Sequence, residues 1–341
     1  MPQVAASVPV YVGAAAERML REAAFFTGSD VVLKASGHLH HRTPLQIGPF
    51  RITPFLNDHS AFDAYGMLVE ADGKRLYYTG DLRGHGRKSA MFEELLANPP
   101  AHIQVLLMEG THVHASSAGG ERGPSETDVE RACIQTFRAT KGMALAVYSA
   151  QNIDRLVTLF RAAVQSEREL VLDLYTATMA AATGHDSIPQ ADWQRVRVYV
   201  PQRQRVKIKN TGEFQRCETV RPRRIFAEEL AARRGELVMT FRASMAAELV
   251  RAGCLEDATA VWSLWPGYLQ DDRRLQDFLR NQGIPLVVHH SSGHAFIGDL
   301  QRLVAALAPA RLVPIHSFGG DSFDKFFPHV DRQVDGAWWE V

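Results

Sequence analysis

Polar residues that can bind metal or phosphate follow five apolar, strand-like runs of this 341-residue chain. The five junctions are Leu56-Asn57-Asp58-His59, Tyr78-Thr79-Gly80-Asp81, Leu107-Met108-Glu109-Gly110-Thr111, His289-His290-Ser291-Ser292-Gly293-His294 and Pro314-Ile315-His316. In layered α/β proteins, the loops at the carboxyl ends of strands converge on one crevice. The pattern therefore predicts an α/β fold in which these loops assemble a single site.

Composition narrows the classes of function. The formal net charge is zero, so any attraction to nucleic acid must be local. The longest apolar stretches are shorter than the ~20 residues that a membrane span needs, and the first residues lack a signal-peptide pattern. The three cysteines have no CxxC spacing, which argues against a disulfide framework. We expect a cytoplasmic protein with no membrane partner; homo-oligomer formation is left open.

The rhythm of the chain predicts two domains. Residues 1–124 alternate short strands with a helix at 14–26, and Asp72-Gly73 marks a tight hairpin turn. From 125 to 284, strands alternate with helices, as in a doubly wound α/β unit. Strands with His-bearing ends then return. We therefore expect one domain at 1–124 and 285–341, into which the α/β domain 125–284 is inserted.

His59, Asp81 and His316 are candidate metal ligands. A carboxylate that bridges two cations, with imidazoles on either side, is typical of dinuclear hydrolytic sites. The alternative for His59 is a hydrogen-bonded loop residue. Glu109 either caps a loop amide or holds a proton on His294 for general-acid work.

Other polar groups suggest phosphate contacts. Ser292, next to Gly293, allows a phosphate to approach closely. Ser149 and Asn152 lie in a strand-to-helix turn, where free helix amides would bind an anion. The group His38, His40 and His41 has no carboxylate nearby in sequence, so we favour a surface or groove-lining role over metal binding.

A basic run at 195–224 contains ten of the 38 Lys and Arg residues, including Arg203, Arg205, Lys207 and Lys209. Only Glu213 and Glu218 offset it within the run. It could contact several phosphates of a nucleic-acid backbone. The alternative is a solvated face, because basic runs are common on exposed loops.

Together these segments resemble the metallo-β-lactamase-fold hydrolases of the β-CASP type, typified by ribonuclease J and RNA 3′-end-processing endonucleases. The matching pieces, in order, are Asp58-His59-Ser60 with Asp63-Ala64-Tyr65-Gly66, Tyr78-Thr79-Gly80-Asp81-Leu82-Arg83, Leu107-Met108-Glu109-Gly110-Thr111, Ser292-Gly293-His294-Ala295 and Val313-Pro314-Ile315-His316. The resemblance implies an αββα sandwich, N-terminally incomplete, with an inserted β-CASP domain.

The resemblance also implies roles. His59 would bind one zinc ion, His316 the second, and Asp81 would bridge them. Glu109 and His294 would correspond to the β-CASP acidic and first histidine motifs, with His294 near the scissile phosphate. Ser149 and Asn152 would lie near a neighbouring RNA phosphate. A metal-bound hydroxide would then attack phosphorus in line.

One part of the family pattern is missing. No His-x-His-x-Asp-His run occurs in the sequence. In similar proteins this motif supplies most ligands of both zinc ions, and we expect it to fall before Met1. We therefore expect an RNA-processing nuclease of impaired activity. The alternative is a catalytically inactive remnant that binds RNA or a partner.

Overall fold

The structure is a computed structural model that describes residues 8–29, 33–120 and 122–341. Helices and strands alternate along it, which confirms the α/β class. The strands are β1 Tyr11–Gly13, β2 Gly37–Leu39, β3 Leu45–Ile47, β4 Phe50–Leu56, β5 Tyr65–Ala71, β6 Lys74–Tyr78, β7 Val105–Glu109, β8 Ala144–Val147, β9 Glu169–Asp173, β10 Val196–Tyr199, β11 Leu237–Thr240, β12 Thr259–Trp262, β13 Leu286–Val288 and β14 Arg311–Ile315.

The α-helices are α1 Ala14–Thr27, α2 Ser89–Ala97, α3 Glu126–Ala139, α4 Ile153–Gln165, α5 Leu174–Thr183, α6 Gln202–Thr211, α7 Gln215–Glu218, α8 Ala227–Ala232, α9 Ala246–Arg251, α10 Pro266–Asp271, α11 Arg273–Asn281 and α12 Ile297–Leu307. Single 3₁₀ turns cover Arg221–Arg223, Arg234–Glu236 and Ala243–Met245, and a longer one covers Gly320–Lys325. Within the described residues, none of these helices has the length and apolar character that crossing a membrane requires.

The chain divides into two compact units. We call residues 8–17, 34–120, 122–125 and 292–341 the mixed-sheet unit. Residues 18–29, residue 33 and residues 126–291 form the parallel-sheet unit.

The mixed-sheet unit is built on six strands in the order β14-β7-β6-β5-β4-β3. The pairs from β3 to β6 are antiparallel, whereas β6, β7 and β14 run parallel. The β5–β6 hairpin turns at Asp72 and Gly73, which both have positive φ (49° and 76°), as the Asp-Gly signal predicts for a two-residue turn. The carboxyl ends of β4, β6, β7 and β14 therefore carry the predicted polar loops.

The core of the mixed-sheet unit lies between its sheet and two helices. Tyr77, Leu106 and Met108 of the sheet are fully buried, and they belong to one apolar cluster with Leu300 and Leu303 of α12. Each such side chain contributes about 1.5–3 kcal/mol of burial free energy. This packing fixes the strand ends on which the candidate site is built.

The parallel-sheet unit has six strands in the order β10-β9-β11-β8-β12-β13, all parallel. The chain runs from β8 to β9 and β10 on one side, returns through β11, and continues to β12 and β13 on the other side. As in doubly wound folds, ligand crevices are expected at the carboxyl ends of these strands. Asn152 and Asp173 cap the helices that follow β8 and β9, because their side chains accept the amide N–H groups of Arg155 and Thr176.

The domain boundary predicted at residue 285 differs from the structure. β13 pairs with β12, with Ala260 opposite Leu286 and Trp262 opposite Val288, so it belongs to the parallel sheet. The parallel-sheet unit consequently extends to Ser291. It also includes residues 18–29, which the sequence prediction assigned to the first domain.

Candidate metal centre

Five predicted site residues meet at the strand ends of the mixed-sheet unit. His59 follows β4, Asp81 follows β6, Glu109 ends β7, and His316 follows β14. His294 lies in the loop that leads into α12. They meet because the sheet order sets β14, β7 and β6 side by side.

Asp81 is the shared neighbour of two imidazoles. Its Oδ1 lies 3.3 Å from Nδ1 of His316, and its Oδ2 lies 4.0 Å from Nε2 of His59. The ring centroid of His294 lies 5.4 Å from that of His59 and 5.2 Å from that of His316. The three imidazoles therefore surround one carboxylate.

Two overlapping sets of side chains have metal-binding geometry. In His59, Asp81 and His294, one donor atom from each residue lies within 4.8 Å of the others, and the same holds for Glu109, His294 and His316. Around a tetrahedral zinc ion with bonds of 2.0–2.1 Å, ligand atoms lie about 3.4 Å apart. The Asp81–His316 pair already matches this spacing, and the Asp81–His59 pair needs to close by about 0.6 Å. Imidazole and carboxylate donors of this kind suit zinc.

The ring of His59 is anchored on its far side. Its Nδ1 accepts the amide N–H of Ala61 at 3.0 Å, which leaves Nε2 facing Asp81. A neutral imidazole that binds metal through Nε2 carries its proton on Nδ1, so metal binding requires this hydrogen bond to break. The cost of about 1 kcal/mol is small beside the roughly 10–16 kcal/mol of a structural zinc site.

Glu109 is buried and holds the His294 loop in place. One carboxylate oxygen accepts the amide N–H of Ala295 at 3.0 Å, and the other accepts that of Thr111 at 3.1 Å. The latter oxygen also lies 3.4 Å from Nδ1 of His294. Glu109 thus caps loop amides and contacts the imidazole, so both sequence readings describe part of its environment.

The pKa values of the two central histidines, His59 and His294, are shifted in opposite directions. Burial and, after it, the neighbouring His294 lower the pKa of His59 to about 3, so its imidazole is neutral and available as a ligand. Burial alone would lower the pKa of His294, but the close contact with the Glu109 carboxylate outweighs burial and raises it. Burial likewise opposes the lowering of the Glu109 pKa, which the contact with His294 produces.

Two glycines let the loops approach each other. Gly80, directly before Asp81, has φ +57°, and a Cβ there would lie 2.7 Å from the carbonyl oxygen of Tyr65. A Cβ on Gly293 would lie 2.5 Å from Oγ of Ser60 and 3.3 Å from Nε2 of His59. Side chains at either position would push the ligand loops apart.

A second group of polar residues, missed by sequence reasoning, holds Ser292. Arg83 is fully buried and donates to the Ser292 carbonyl at 2.6 Å, while Nε2 of His85 lies 3.2 Å from the same oxygen. Nε2 of His112 lies 2.7 Å from Oγ of Ser292, and that Oγ accepts the amide N–H of His294 at 3.1 Å. The run Asp81-Leu82-Arg83-Gly84-His85 was the available signal, because it follows a ligand directly.

The predicted anion site at Ser149 and Asn152 lies in the parallel-sheet unit, and protein groups accept several of its amides. Asn152 Oδ1 accepts the amide of Arg155, and the Gln151 carbonyl accepts that of Ile153 at 3.1 Å. Oγ of Ser149 accepts the amide of Gln151 at 3.3 Å. A phosphate contact at this turn stays a prediction.

The basic run is less charged in space than in sequence. Arg197, Arg205 and Arg216 pair with Glu169, Glu248 and Glu22, which lie outside the run. Nζ of Lys207 lies 5.2 Å from the ring centroid of Phe25. Arg203 and Lys209, on α6, are exposed and form no salt bridge within the described residues. The solvated-face reading thus applies to much of the run, and these two cations remain available.

Two of the three early histidines, His38 and His41, contact protein groups, and His40 is exposed. Nε2 of His38 lies 2.8 Å from Oε2 of Glu17. Nδ1 of His41 accepts the amide of Leu56 at 2.9 Å, and its Nε2 lies 3.4 Å from Glu94. Neither histidine belongs to a metal-binding group in the part of the chain that the structure describes.

Comparisons with known proteins support the fold alone. No family model matches this chain. It is similar to the crystal structure of a protein of unknown function from Enterococcus faecalis V583, with a TM-score of 0.70 and 19% sequence identity. That similarity covers 96% of this chain and 74% of the other. At this identity the two proteins share an architecture, and nothing follows about activity.

Proposed function

We propose that this chain is a metal-dependent hydrolase of phosphodiester bonds that acts on RNA, of the β-CASP type that its motifs resemble. Under this proposal the mixed-sheet unit is the metallo-β-lactamase-like domain and the parallel-sheet unit is the β-CASP domain. The observation that carries the proposal is the position of the Asp81 carboxylate, which lies 3.3 Å from Nδ1 of His316 and 4.0 Å from Nε2 of His59.

The residues favour zinc, held by His59, Asp81 and His316, with His294 beside them. When bound, such an ion supplies Lewis-acid chemistry that activates water and stabilises charge on phosphoryl oxygens. His59, Asp81 and His316 would provide three donors, enough for one zinc site with an open fourth position, whereas the two ions that the resemblance implies require more ligands. We therefore expect this sequence to turn over slowly.

The remaining side chains act on the substrate and its protons. Glu109 orients His294 through the 3.4 Å contact at Nδ1, so the opposite edge of the ring can hold a proton near a leaving oxygen. Ser292 is fixed by His112 and by the His294 amide, which leaves its hydroxyl positioned beside the metal-binding loops for a phosphate oxygen. Arg203 and Lys209 supply unpaired charge for the RNA backbone.

Zinc content and RNA cleavage test the proposal together. Wild-type protein should retain about one zinc ion per chain after dialysis, because three protein ligands make one catalytic zinc site, and should cleave a 5′-monophosphorylated RNA slowly. Asp81→Ala should lose the zinc. His294→Ala should keep it and lower turnover by about 10²- to 10⁴-fold, the range for loss of a general acid. Asp72→Asn, an exposed acid in the β5–β6 turn, is the matched control and should change neither property.

The outcomes separate the alternatives. Wild-type protein that binds no zinc contradicts the metal site. Zinc binding with no cleavage contradicts the hydrolase, and RNA binding in that case supports the inactive remnant. Equal zinc loss in Asp81→Ala and His294→Ala would make His294 a ligand instead of a proton-holding group.

A further inference from the structure

An exposed aromatic pair follows β12 in the parallel-sheet unit. Trp265 is 58% exposed and Tyr268 is 60% exposed. Their ring centroids lie 5.2 Å apart with the planes at 83°, so the edge of one ring meets the face of the other. Tryptophan and tyrosine are enriched at binding surfaces, so this exposed and mutually packed pair is a candidate binding site.

The ring of Trp265 is held in one place. A Cβ on Gly267 would lie 2.0 Å from the indole, so the ring covers the backbone at a position that only glycine leaves open. The Trp265 carbonyl accepts the indole N–H of the buried Trp262 at 3.3 Å, and Pro266 stiffens the following turn. By contrast, Trp338 is fully exposed and has no ring partner within the described residues.

The Trp265–Tyr268 pair lies beyond the carboxyl edge of the parallel sheet. Trp262 is in register with Val147, so Trp265 lies beyond the same edge as Gln151, which follows β8. Arg242 follows β11, about 10 Å away across two strand spacings of ~4.8 Å. The fully buried Asp173 anchors the Arg242 guanidinium at 2.8 Å. A flat ring, an amide and a fixed cation therefore line one edge.

The neighbours of Trp265 favour a flat polar ligand over a protein surface. Gln270, Asp271, Arg273 and Arg274 follow the pair within six residues of the chain and are all exposed, and charged residues such as the last three are depleted at the cores of protein interfaces. Nucleobases stack on such rings whatever their sequence, because every base has a π-face, and their phosphates need nearby cations.

We infer that Trp265, buttressed by Gly267 and Tyr268, is a stacking platform for one base of single-stranded RNA. The inference rests on the proposed function, which supplies RNA as the ligand class. It adds the contact residue and the mode of recognition: stacking that tolerates any base and rejects duplex RNA, whose bases are not free.

Binding of fluorescent 12-nucleotide oligo(U) and oligo(A) by anisotropy, over a series of salt concentrations, tests the inference. Trp265→Leu should weaken both by about 5- to 150-fold, which corresponds to 1–3 kcal/mol for one stacked base. Trp265→Phe should recover most of the affinity. Gly267→Ala, which displaces the indole without removing it, should weaken binding in the same direction. Trp338→Leu should have no effect.

Salt dependence distinguishes stacking from charge. The Trp265→Leu variant should keep the wild-type slope of log K against log salt, because no phosphate contact is lost. Neutralising Arg203 and Lys209 to Gln should reduce the magnitude of the slope by about 1.4, from 0.7 per phosphate on single strands. Circular dichroism and thermal melts check that each variant is folded.

Three results would overturn the inference, and they differ from failure of the proposed function. If wild-type protein binds RNA and Trp265→Leu binds equally well, stacking is refuted while the hydrolase stands. A changed salt slope in Trp265→Leu would mean that the ring only positions charged groups. If the variant keeps its RNA affinity and loses self-association, the platform is a protein contact. Wild-type protein that binds no RNA refutes the RNA assignment itself.

Discussion

Replacing Glu126 with Gln should strongly destabilise the parallel-sheet unit. Glu126 of α3 and Arg155 of α4 form a buried pair, with Nη2 to Oε1 at 2.9 Å and Nε to Oε2 at 3.2 Å. Thr158 donates a third hydrogen bond to Glu126 at 2.7 Å. Arg155 also donates to the Ser263 carbonyl at 2.8 Å, so the pair ties both helices to the end of β12 and to the turn that carries Trp265.

The magnitude follows from burial. Neither side chain of the pair is appreciably exposed. Glu126→Gln keeps the shape of the side chain and removes its charge, which leaves the Arg155 guanidinium buried without a counter-ion. Breaking a buried pair in this way costs about 3–5 kcal/mol. A loss of that size is a large part of the roughly 5–15 kcal/mol that stabilises a typical domain.

The chain contains its own control. Arg131 and Asp128, also on α3, form an ion pair at 3.1 Å, and their side chains are 71% and 51% exposed. Exposed pairs contribute about 0–1 kcal/mol, so Arg131→Gln should be nearly neutral. Urea denaturation followed by tryptophan fluorescence measures both, because Trp193, Trp262 and Trp265, three of the five tryptophans, lie in the parallel-sheet unit.

A double variant completes the test. Glu126→Leu with Arg155→Met replaces both charges by apolar groups of similar size and should be less destabilising than Glu126→Leu alone, because no buried charge remains. If Glu126→Gln lowers the free energy of unfolding by less than about 1 kcal/mol, the range of the exposed control, the reasoning is refuted. The buried guanidinium would then be satisfied by backbone carbonyls alone.

Two further predictions concern other strand ends. The pKa of Asp173 is lowered because its pairing with Arg242 outweighs burial, so its contribution to stability is present above the unfolded pKa of about 3.9 and is lost as pH falls through the lower folded value. Asp173→Asn should thus lower the free energy of unfolding by about 2 kcal/mol at pH 7, less than the loss of a fully buried pair, because the Arg242 side chain is 26% exposed. The difference in stability between the wild type and this variant should become smaller below pH ~4. A difference that does not change with pH would contradict the assignment. Gly80→Ala should lower zinc affinity, and it should lower the free energy of unfolding by more than the 1–2 kcal/mol of left-handed backbone strain, because its Cβ meets the Tyr65 carbonyl. Gly73→Ala also has positive φ but has open space around it, so it should lose only the strain energy and keep its zinc. Equal effects of these two substitutions in unfolding and zinc titrations would refute the steric argument.

Local signals in the sequence were enough to place most elements. The Asp72-Gly73 turn and the apolar run at β7 depend on neighbours within a few residues, so the pattern and the structure agree there. β13 shows the limit. Leu286–Val288 is a three-residue apolar run that suits the edge of either sheet, and its pairing with β12 is settled by contacts that no local pattern contains.

The sequence analysis overestimated the positive charge of the basic run, because the acids that neutralise it are distant along the chain. The acids that neutralise Arg197 and Arg205 lie 28 residues before and 43 residues after them, at Glu169 and Glu248, so a window over the basic run counts the cations and misses their partners. The same limit hid His112, whose hydrogen-bond partner Ser292 is 180 residues away. By contrast, His59, Asp81, Glu109 and His316 could be predicted as a group, because each stands at a strand end and strand ends share one edge of a sheet. The position of a side chain that follows a strand can be predicted from that strand alone. A side chain whose environment depends on a residue far along the chain cannot be placed in this way.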